Sequence, residues 1–443
     1  MFAKKLNVHF IGIGGIGVSA LAKYYIKKGH QVTGSDLVAS EITDALKKLG
    51  VKIYIGKHKT KNLSKDADLV IYSPAVKPSN QELLKAKGCG INALSYPEVL
   101  GDLTKQYFTI AVSGTHGKST TAGMIGLLLT KANLDPTVIV GTKLKEFGNS
   151  NCRVGKSKYL VIEADEWQAS FLNYWPKIIV LTNIEAEHLD YYKNLRNVLK
   201  TYKEYIGHLQ KGGVLIVNGD DKNIEKILNV RHRIQKFSLE QKATEKLRKI
   251  LKVPGEHNVY NALAALTVGK TLGIKDGTIF NVLSEYRGSW RRFEIKKSEI
   301  GTPIISDYGH HPTEIKATLI ATREKYPRKE IWCVYQPHQY QRTFYLFKDF
   351  VKVFKEAPLD KLIITDIYDV AGREEKKIKE KVSSEKLVKK INKSWAIYLP
   401  KDKIIDYLKQ NLQGGEVVII MGAGDIYKLA IHLTERSKKK KIN

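Results

Sequence analysis

The sequence predicts an α/β fold in three successive parts, and three observations point to it. Short apolar runs alternate with helical patterns in three separate stretches, the arrangement that builds parallel sheets from βαβ units. Two of the runs end in glycine-rich turns that lead straight into a helical pattern, at His9 to Gly17 and at Ser113 to Thr121. The chain is also long: 443 residues, 43% of them hydrophobic, exceed one core and suit two or three domains.

In the first part, residues 1–104, LNVHFIGI reads as a strand and GVSALAKYYIKK as a helix. QVTGSD is the next strand, ITDALKKLG a helix, and VKIYIG and ADLVIYS are further strands. Asp36 closes the second strand about twenty residues beyond the glycines, where a carboxylate can accept hydrogen bonds from a ribose; a helix N-cap is the alternative reading. The central part, 105–295, opens with YFTIAVSGTHGKSTTAGMIGLLLTK, a strand, a tight turn and a helix. In the third part, 296–443, TPIISDYG, IWCVYQP, KLIITDIY and EVVIIMGAG read as strands. The first and third parts are thus expected to be Rossmann-like parallel sheets, and the central one a P-loop ATPase-type sheet.

Composition narrows the function classes. The formal charge is +29, from 74 Lys and Arg against 45 Asp and Glu. The lysines are scattered and only Ser437 to Ile442 is a dense run, so the excess suits anionic small substrates and no nucleic-acid module is legible. Cys89, Cys152 and Cys333 are far apart, odd in number and without metal-type spacing, which fits free thiols in a reducing cytosol. No fixed-period repeat, cleavage-site pattern or span of about 20 apolar residues is present. A cytoplasmic protein without membrane insertion is expected, as monomer or homodimer.

The glycines Gly12, Gly14, Gly15 and Gly17 give G-x-G-x-x-G after a strand, a turn that lets backbone approach a diphosphate. Alone it is compatible with a dinucleotide-binding oxidoreductase. The second loop, Gly114, Thr115, His116, Gly117, Lys118, Ser119 and Thr120, carries the Gly-Lys-Ser core of a phosphate loop. It is shorter than G-x-x-x-x-G-K-[ST]. Lys118 is expected at the β- and γ-phosphates of ATP and the Ser119 hydroxyl at Mg2+. An ATP-driven reaction on a substrate that itself holds a diphosphate, such as a nucleotide sugar, accounts for both loops. LVIEADEW brings Glu163, Asp165 and Glu166 to one strand end, and VLTNIEAEHLDYY brings Glu185, Glu187, His188 and Asp190 to another. Such oxygen donors with one imidazole suit Mg2+ beside a triphosphate.

These motifs, together with GEHNVYNALAAL, WRRFE, DYGHHPTEI, YQPHQYQRT and GAGD in that order, resemble the Mur ligase family, ATP-dependent amide-forming enzymes of cell-wall precursor synthesis. The resemblance implies a first domain for the UDP moiety, a central ATPase domain and a C-terminal domain for the amino acid. The forms GTHGKS and DYGHHPTE imply UDP-N-acetylmuramate, L-alanine and ATP as ligands, with an acyl phosphate formed on the lactyl carboxylate. A ligase of the same family that attaches a whole tripeptide is the nearest alternative.

Carried over from the family, Lys118 and Ser119 hold phosphates and Mg2+, Glu163 binds that metal and His188 a second one. Asn258 and Asn261 resemble the adenine-contacting segment, and Arg292 and Asp307 residues that reach the ATP phosphates and ribose. His310, His311 and Arg342 are expected near the reacting carboxylate and alanine. A bland reading makes His257, His310 and His311 cap or core histidines, and WRRFE a linker with Trp290 and Phe293 packed and Arg291 solvated. Gln339 stands where the family carries arginine, and Arg373 is expected to supply a compensating charge at the substrate.

Overall fold

Three sheets form in chain order. The computed structural model describes residues 4–228, 231–370 and 376–434, so Arg373 lies outside the described residues. The first sheet holds β1 (Asn7–Ile11), β2 (Gln31–Asp36), β3 (Lys52–Ile55), β4 (Leu69–Tyr72) and β5 (Asn92–Ser95). All are parallel, in the order β3-β2-β1-β4-β5. Strand order therefore reverses between β1 and β4, the switch point at which open α/β sheets bind ligands. Helices α1 (Ile16–Lys27), α2 (Glu41–Lys48), α3 (Gln81–Gly88) and α4 (Tyr96–Gln106) accompany these strands. Ser40 caps α2, accepting from Thr43 N in a capping box, so the N-cap alternative for Asp36 is not what the chain adopts.

The second sheet holds β6 (Phe108–Ser113), β7 (Thr137–Leu144), β8 (Ser150–Arg153), β9 (Tyr159–Glu163), β10 (Ile178–Leu181), β11 (Val214–Asn218) and β12 (Arg233–Phe237), ordered β12-β11-β10-β6-β9-β7-β8. It is parallel except for the β7–β8 hairpin. Helix α5 (Lys118–Lys131) is buried from Ser119 to Leu129, which explains why KSTTAGMIGLLLTK lacks a polar stripe.

The third sheet holds β13 (Glu294–Lys297), β14 (Pro303–Asp307), β15 (Ile331–Tyr335), β16 (Lys361–Ile364), β17 (Ala396–Tyr398) and β18 (Val417–Met421), ordered β13-β14-β18-β15-β16-β17. Only β13 runs antiparallel to its neighbour. Alternate residues feed two cores: Ile305, Cys333 and Ile419 join one, Ile304, Val334 and Val418 the other. Both faces are thus covered, and its central strands read as unbroken apolar runs.

By compactness the chain divides into two units. Met1–Glu187, Asn194–Ile250 and Tyr260–Tyr286 contain the first two sheets; His188–Lys193, Leu251–Val259 and Arg287–Asn443 contain the third. Among the described residues, no helix is long and apolar enough to cross a membrane.

Candidate active site

The first glycine loop leaves the C-terminal end of β1 at the switch point. Gly12 has φ +77°, a conformation that a side chain would strain. Gly12 N and Ile13 N both donate to Ser35 O, at 2.8 and 3.1 Å, and Gly15 N donates to Gly12 O. Asp36 accepts from Gly14 N at 2.8 Å and from Val38 N at 3.2 Å. The carboxylate expected at a ribose therefore braces the loop. No side chain caps α1, which leaves its first-turn N–H groups without a side-chain acceptor, the arrangement of helix starts that can receive an anion.

Beneath this loop lies a buried carboxylate that belongs to no sequence motif. Glu82 of α3 accepts from Ser35 Oγ (2.5 Å) and Asn62 Nδ2 (2.6 Å) and is bonded to His9 Nε2 (3.1 Å) and His58 Nδ1 (3.3 Å). Burial alone would raise its pKa, but the hydrogen bonds from His58, His9, Ser35 and Asn62 outweigh it and hold the carboxyl well below the usual range. Ser35 thus has its side chain tied to Glu82 and its carbonyl to the loop.

Helix α1 also reaches the second sheet. Buried Asn151 of β8 donates to Ile16 O (2.6 Å) and Ser19 Oγ (2.9 Å) and accepts from Lys23 Nζ (2.7 Å). The β7–β8 hairpin that carries Asn151 also brings Gly141 N to Glu163 Oε2 at 2.8 Å.

The second glycine loop follows β6. At Gly114, φ +130°, a Cβ would collide with Thr182 Oγ1, and Gly117 opens α5 from a left-handed conformation. Thr115 N donates to Asn183 O and His116 N to Asn183 Oδ1. Thr115 Oγ1 accepts from Glu185 N, and His116 Nε2 lies 3.6 Å from Glu185 Oε2. Lys118 Nζ donates to Gly114 O (2.7 Å), Thr115 O (3.1 Å) and Glu166 Oε2 (2.8 Å). Ser119 Oγ donates to Glu163, 2.8 and 2.9 Å from its two oxygens. Thr120 is buried beside it, and Asn261 sits against Gly117 and accepts from Thr121 Oγ1.

Burial disfavours the Lys118 ammonium, but Glu166, Asp165 and Glu163 overcome this and keep it charged. Burial likewise drives the Glu166 carboxyl from its ordinary 4.5 up to about 8, and Lys118 only partly opposes that shift. Relative to a solvated glutamate, the fold therefore raises the pH at which Glu166 ionises. The stability so contributed is complete below pH 4.5 and is lost as pH rises toward 8. The Tm of the wild type should therefore decline from pH 5 to 8 relative to that of Glu166→Gln; parallel profiles would contradict this account.

The second compact unit gathers another cluster. Arg292 Nη1 donates to Glu314 Oε1 at 3.0 Å, and His310 Nδ1 lies 3.3 Å from Glu314 Oε2. Asp307 accepts from Phe293 N, Gly309 N and Thr318 Oγ1, and burial raises its pKa. His311 caps the helix Pro312–Lys325, its Nδ1 accepting from Thr313 N, which is the bland reading for that residue. His338 stacks on Tyr368 and lies, at 3.2 Å through Nδ1, against Arg342 Nη1. Gln339 heads the helix Tyr340–Tyr345 with φ +73°. The bland reading of a solvated Arg291 is not what the chain adopts: it is 5% exposed, donates to Gly422 O and Gly424 O, and lies over the rings of Trp290, Tyr308 and Tyr427. Its guanidinium replaces the missing partners of those two carbonyls, a long-range need that sequence does not display.

Of the expected metal ligands, Ser119 and Glu163 are brought together in the first unit, whereas His188, φ +54°, belongs to the second. Asn258 and Asn261 share one helix, Glu256–Thr271, and Asn258 Nδ2 donates to Pro254 O. The residues that sequence reasoning misses, Glu82, Asn151 and Gly141, carry no motif. A buried-polar pattern would have been the only signal for Glu82 and Asn151, and burial is not visible before folding; exposed Gly141 contributes only its backbone N–H.

Three family models match the chain: Mur ligase family, catalytic domain over residues 7–108; Mur ligase middle domain over 112–269; and Mur ligase, glutamate ligase domain over 291–424. The UDP-N-acetylmuramate–L-alanine ligase of Acetivibrio thermocellus is 43% identical, covering 96% of this chain and 94% of that one. That of Clostridium kluyveri is 40% identical, covering 97% and 98%. Among solved structures, UDP-N-acetylmuramate-alanine ligase from Thermotoga maritima superposes with a TM-score of 0.80 at 26% identity, covering 97% of this chain and 98% of that one. A murein peptide ligase from Psychrobacter arcticus gives 0.73 at 22% identity, with the same coverage, and shows the fold.

Proposed function

Given that this chain belongs to the Mur ligase family, we propose that it joins L-alanine to the lactyl carboxylate of UDP-N-acetylmuramate, driven by ATP. The observation that carries this reading is the presence of two glycine-rich strand-to-helix loops in one compact unit, both at strand C-terminal ends and linked through α1. The named relatives of similar length support the choice of substrates. Residues 1–104, 105–295 and 296–443 are taken as the sugar-nucleotide, ATP and amino-acid parts. The three free cysteines fit a cytoplasmic setting.

In this reading Gly12, Gly14, Gly15 and Gly17 hold the UDP diphosphate on the uncapped start of α1. Gly114 to Thr120 surround the ATP phosphates, and Lys118 exchanges Glu166 for phosphate oxygens. Ser119 and Glu163 offer hard oxygen donors of the kind Mg2+ takes. When bound, Mg2+ draws charge from the phosphates. His188 is assigned to a further metal, Asn258 and Asn261 to adenine, and Arg292 and Asp307 to ATP phosphate and ribose. His310, His311 and Arg342 serve alanine and the reacting carboxylate.

A lactyl carboxylate oxygen attacks the γ-phosphorus as the bond to ADP breaks, giving an acyl phosphate. The alanine nitrogen then adds to the acyl carbon, phosphate leaves through a tetrahedral intermediate, and the nitrogen loses a proton. The chain's tasks are alignment and charge neutralisation, with Lys118 countering the charge moving onto ADP.

The test is phosphate release from ATP with UDP-N-acetylmuramate and a panel of L-amino acids and the cell-wall tripeptide. Release is expected with alanine and not with tripeptide. Preference for tripeptide would assign the chain to that alternative, and no release with any acceptor would overturn the ligase reading.

A further inference from the structure

We propose that Tyr96 is a substrate-contacting residue whose phenol donates a hydrogen bond to the acyl end of the sugar nucleotide, where the diphosphate loop meets the carboxylates of the phosphate loop. The inference rests on the function proposed above and deepens it.

Tyr96 opens α4 and its backbone is fixed there. Ser95 donates to Glu98 Oε2 from both N (2.7 Å) and Oγ (2.5 Å), and Pro97 follows in the first turn. The ring lies on Gly17, the last glycine of the first loop. A Cβ at Gly17 would stand 3.0 Å from both Cζ and Oη of Tyr96. In this chain the glycine therefore makes room for a phenol on the diphosphate side.

On its other side Tyr96 lies within electrostatic reach of Glu163 and Asp165 at the end of β9. α4 is locked onto the segment that follows β9: a Cβ at Gly101 would collide with Asn173 O, and Trp175 N donates to Thr104 Oγ1 at 2.9 Å. Burial and the charges of Glu163 and Asp165 raise the phenol's pKa, so it remains an O–H donor at any working pH. Among the described residues the hydroxyl makes no hydrogen bond. A carboxylate brought toward Glu163 and Asp165 is repelled by both, and a neutral donor offsets that without adding a cation to compete for a metal.

The test compares Tyr96→Phe with the wild type by calorimetric titration with UDP and with UDP-N-acetylmuramate, and by steady-state phosphate release. A hydrogen bond to a charged group is worth about tenfold to a hundredfold. The variant should bind UDP like the wild type, lose about tenfold or more in affinity or kcat/KM for UDP-N-acetylmuramate, and keep its KM for ATP and its Tm. Unchanged UDP-N-acetylmuramate binding, or equal weakening toward UDP, or a fall in Tm with both KM values raised, would each overturn the assignment. Wild-type enzyme that releases no phosphate would instead defeat the ligase reading itself.

Discussion

Lys118→Met should reduce ATP-dependent phosphate release by about a thousandfold or more, the scale for removing a group that meets transition-state charge in phosphoryl transfer. UDP should still bind, because the first loop is built from β1, β2 and α1 without Lys118. The same substitution has a folding consequence. Lys118 is the cation held 2.8 Å from a carboxylate that is 2% exposed. Removing one partner of a buried pair costs about 3–5 kcal/mol when the other must stay charged. Glu166 escapes part of this cost by taking up a proton, so urea denaturation should show a small deficit at pH 6 and a larger one at pH 9. Adding Glu166→Gln to Lys118→Met should restore stability at pH 9 and leave the enzyme inactive. Wild-type turnover in either Lys118 variant would remove the loop from the chemistry.

Glu82→Ala is expected to cost about 3–5 kcal/mol in urea denaturation, since it leaves the groups around a buried, hydrogen-bonded charge without their acceptor. His9, Ser35, His58 and Asn62 all converge on this carboxylate. Its pKa is depressed in the fold, so its stabilisation is present above pH 4.5 and is lost as pH falls toward its lowered value. The variant should accordingly show a flatter acid limb in its stability profile. Affinity for UDP should fall as well, because Ser35 holds Glu82 by its hydroxyl and Gly12 and Ile13 by its carbonyl. A loss below about 1 kcal/mol, within the range of an ordinary surface change, would show that the cluster is not needed to hold β2.

Both loops were legible because each pairs an apolar strand with glycines at fixed spacing, and that local pattern survives in one dimension. In the third sheet β14, β15, β16 and β18 were legible as apolar runs, whereas β13 and β17, short and mixed in polarity, were not. The β7–β8 hairpin was not: TVIVGTKL and SNCR mix apolar, charged and glycine residues, and the pairing is set by α1 packing against them. The partner of Lys118 was equally hidden. Glu166 stood among several acids at one strand end, and only the turn after β9 brings it, and not Asp165, to within 2.8 Å of the ammonium.

The sequence by itself determined the three-part α/β order, the two glycine-rich loops and the family, because strand runs, glycine turns and motif order are local and additive. Tertiary structure alone decided that Asp36 braces Gly14, that Arg291 is buried, and that Glu82 anchors β2. Each of those depends on which distant polar groups share a dry environment. Unsatisfied partners left there are costly, and that constraint first exists when the sheets are assembled.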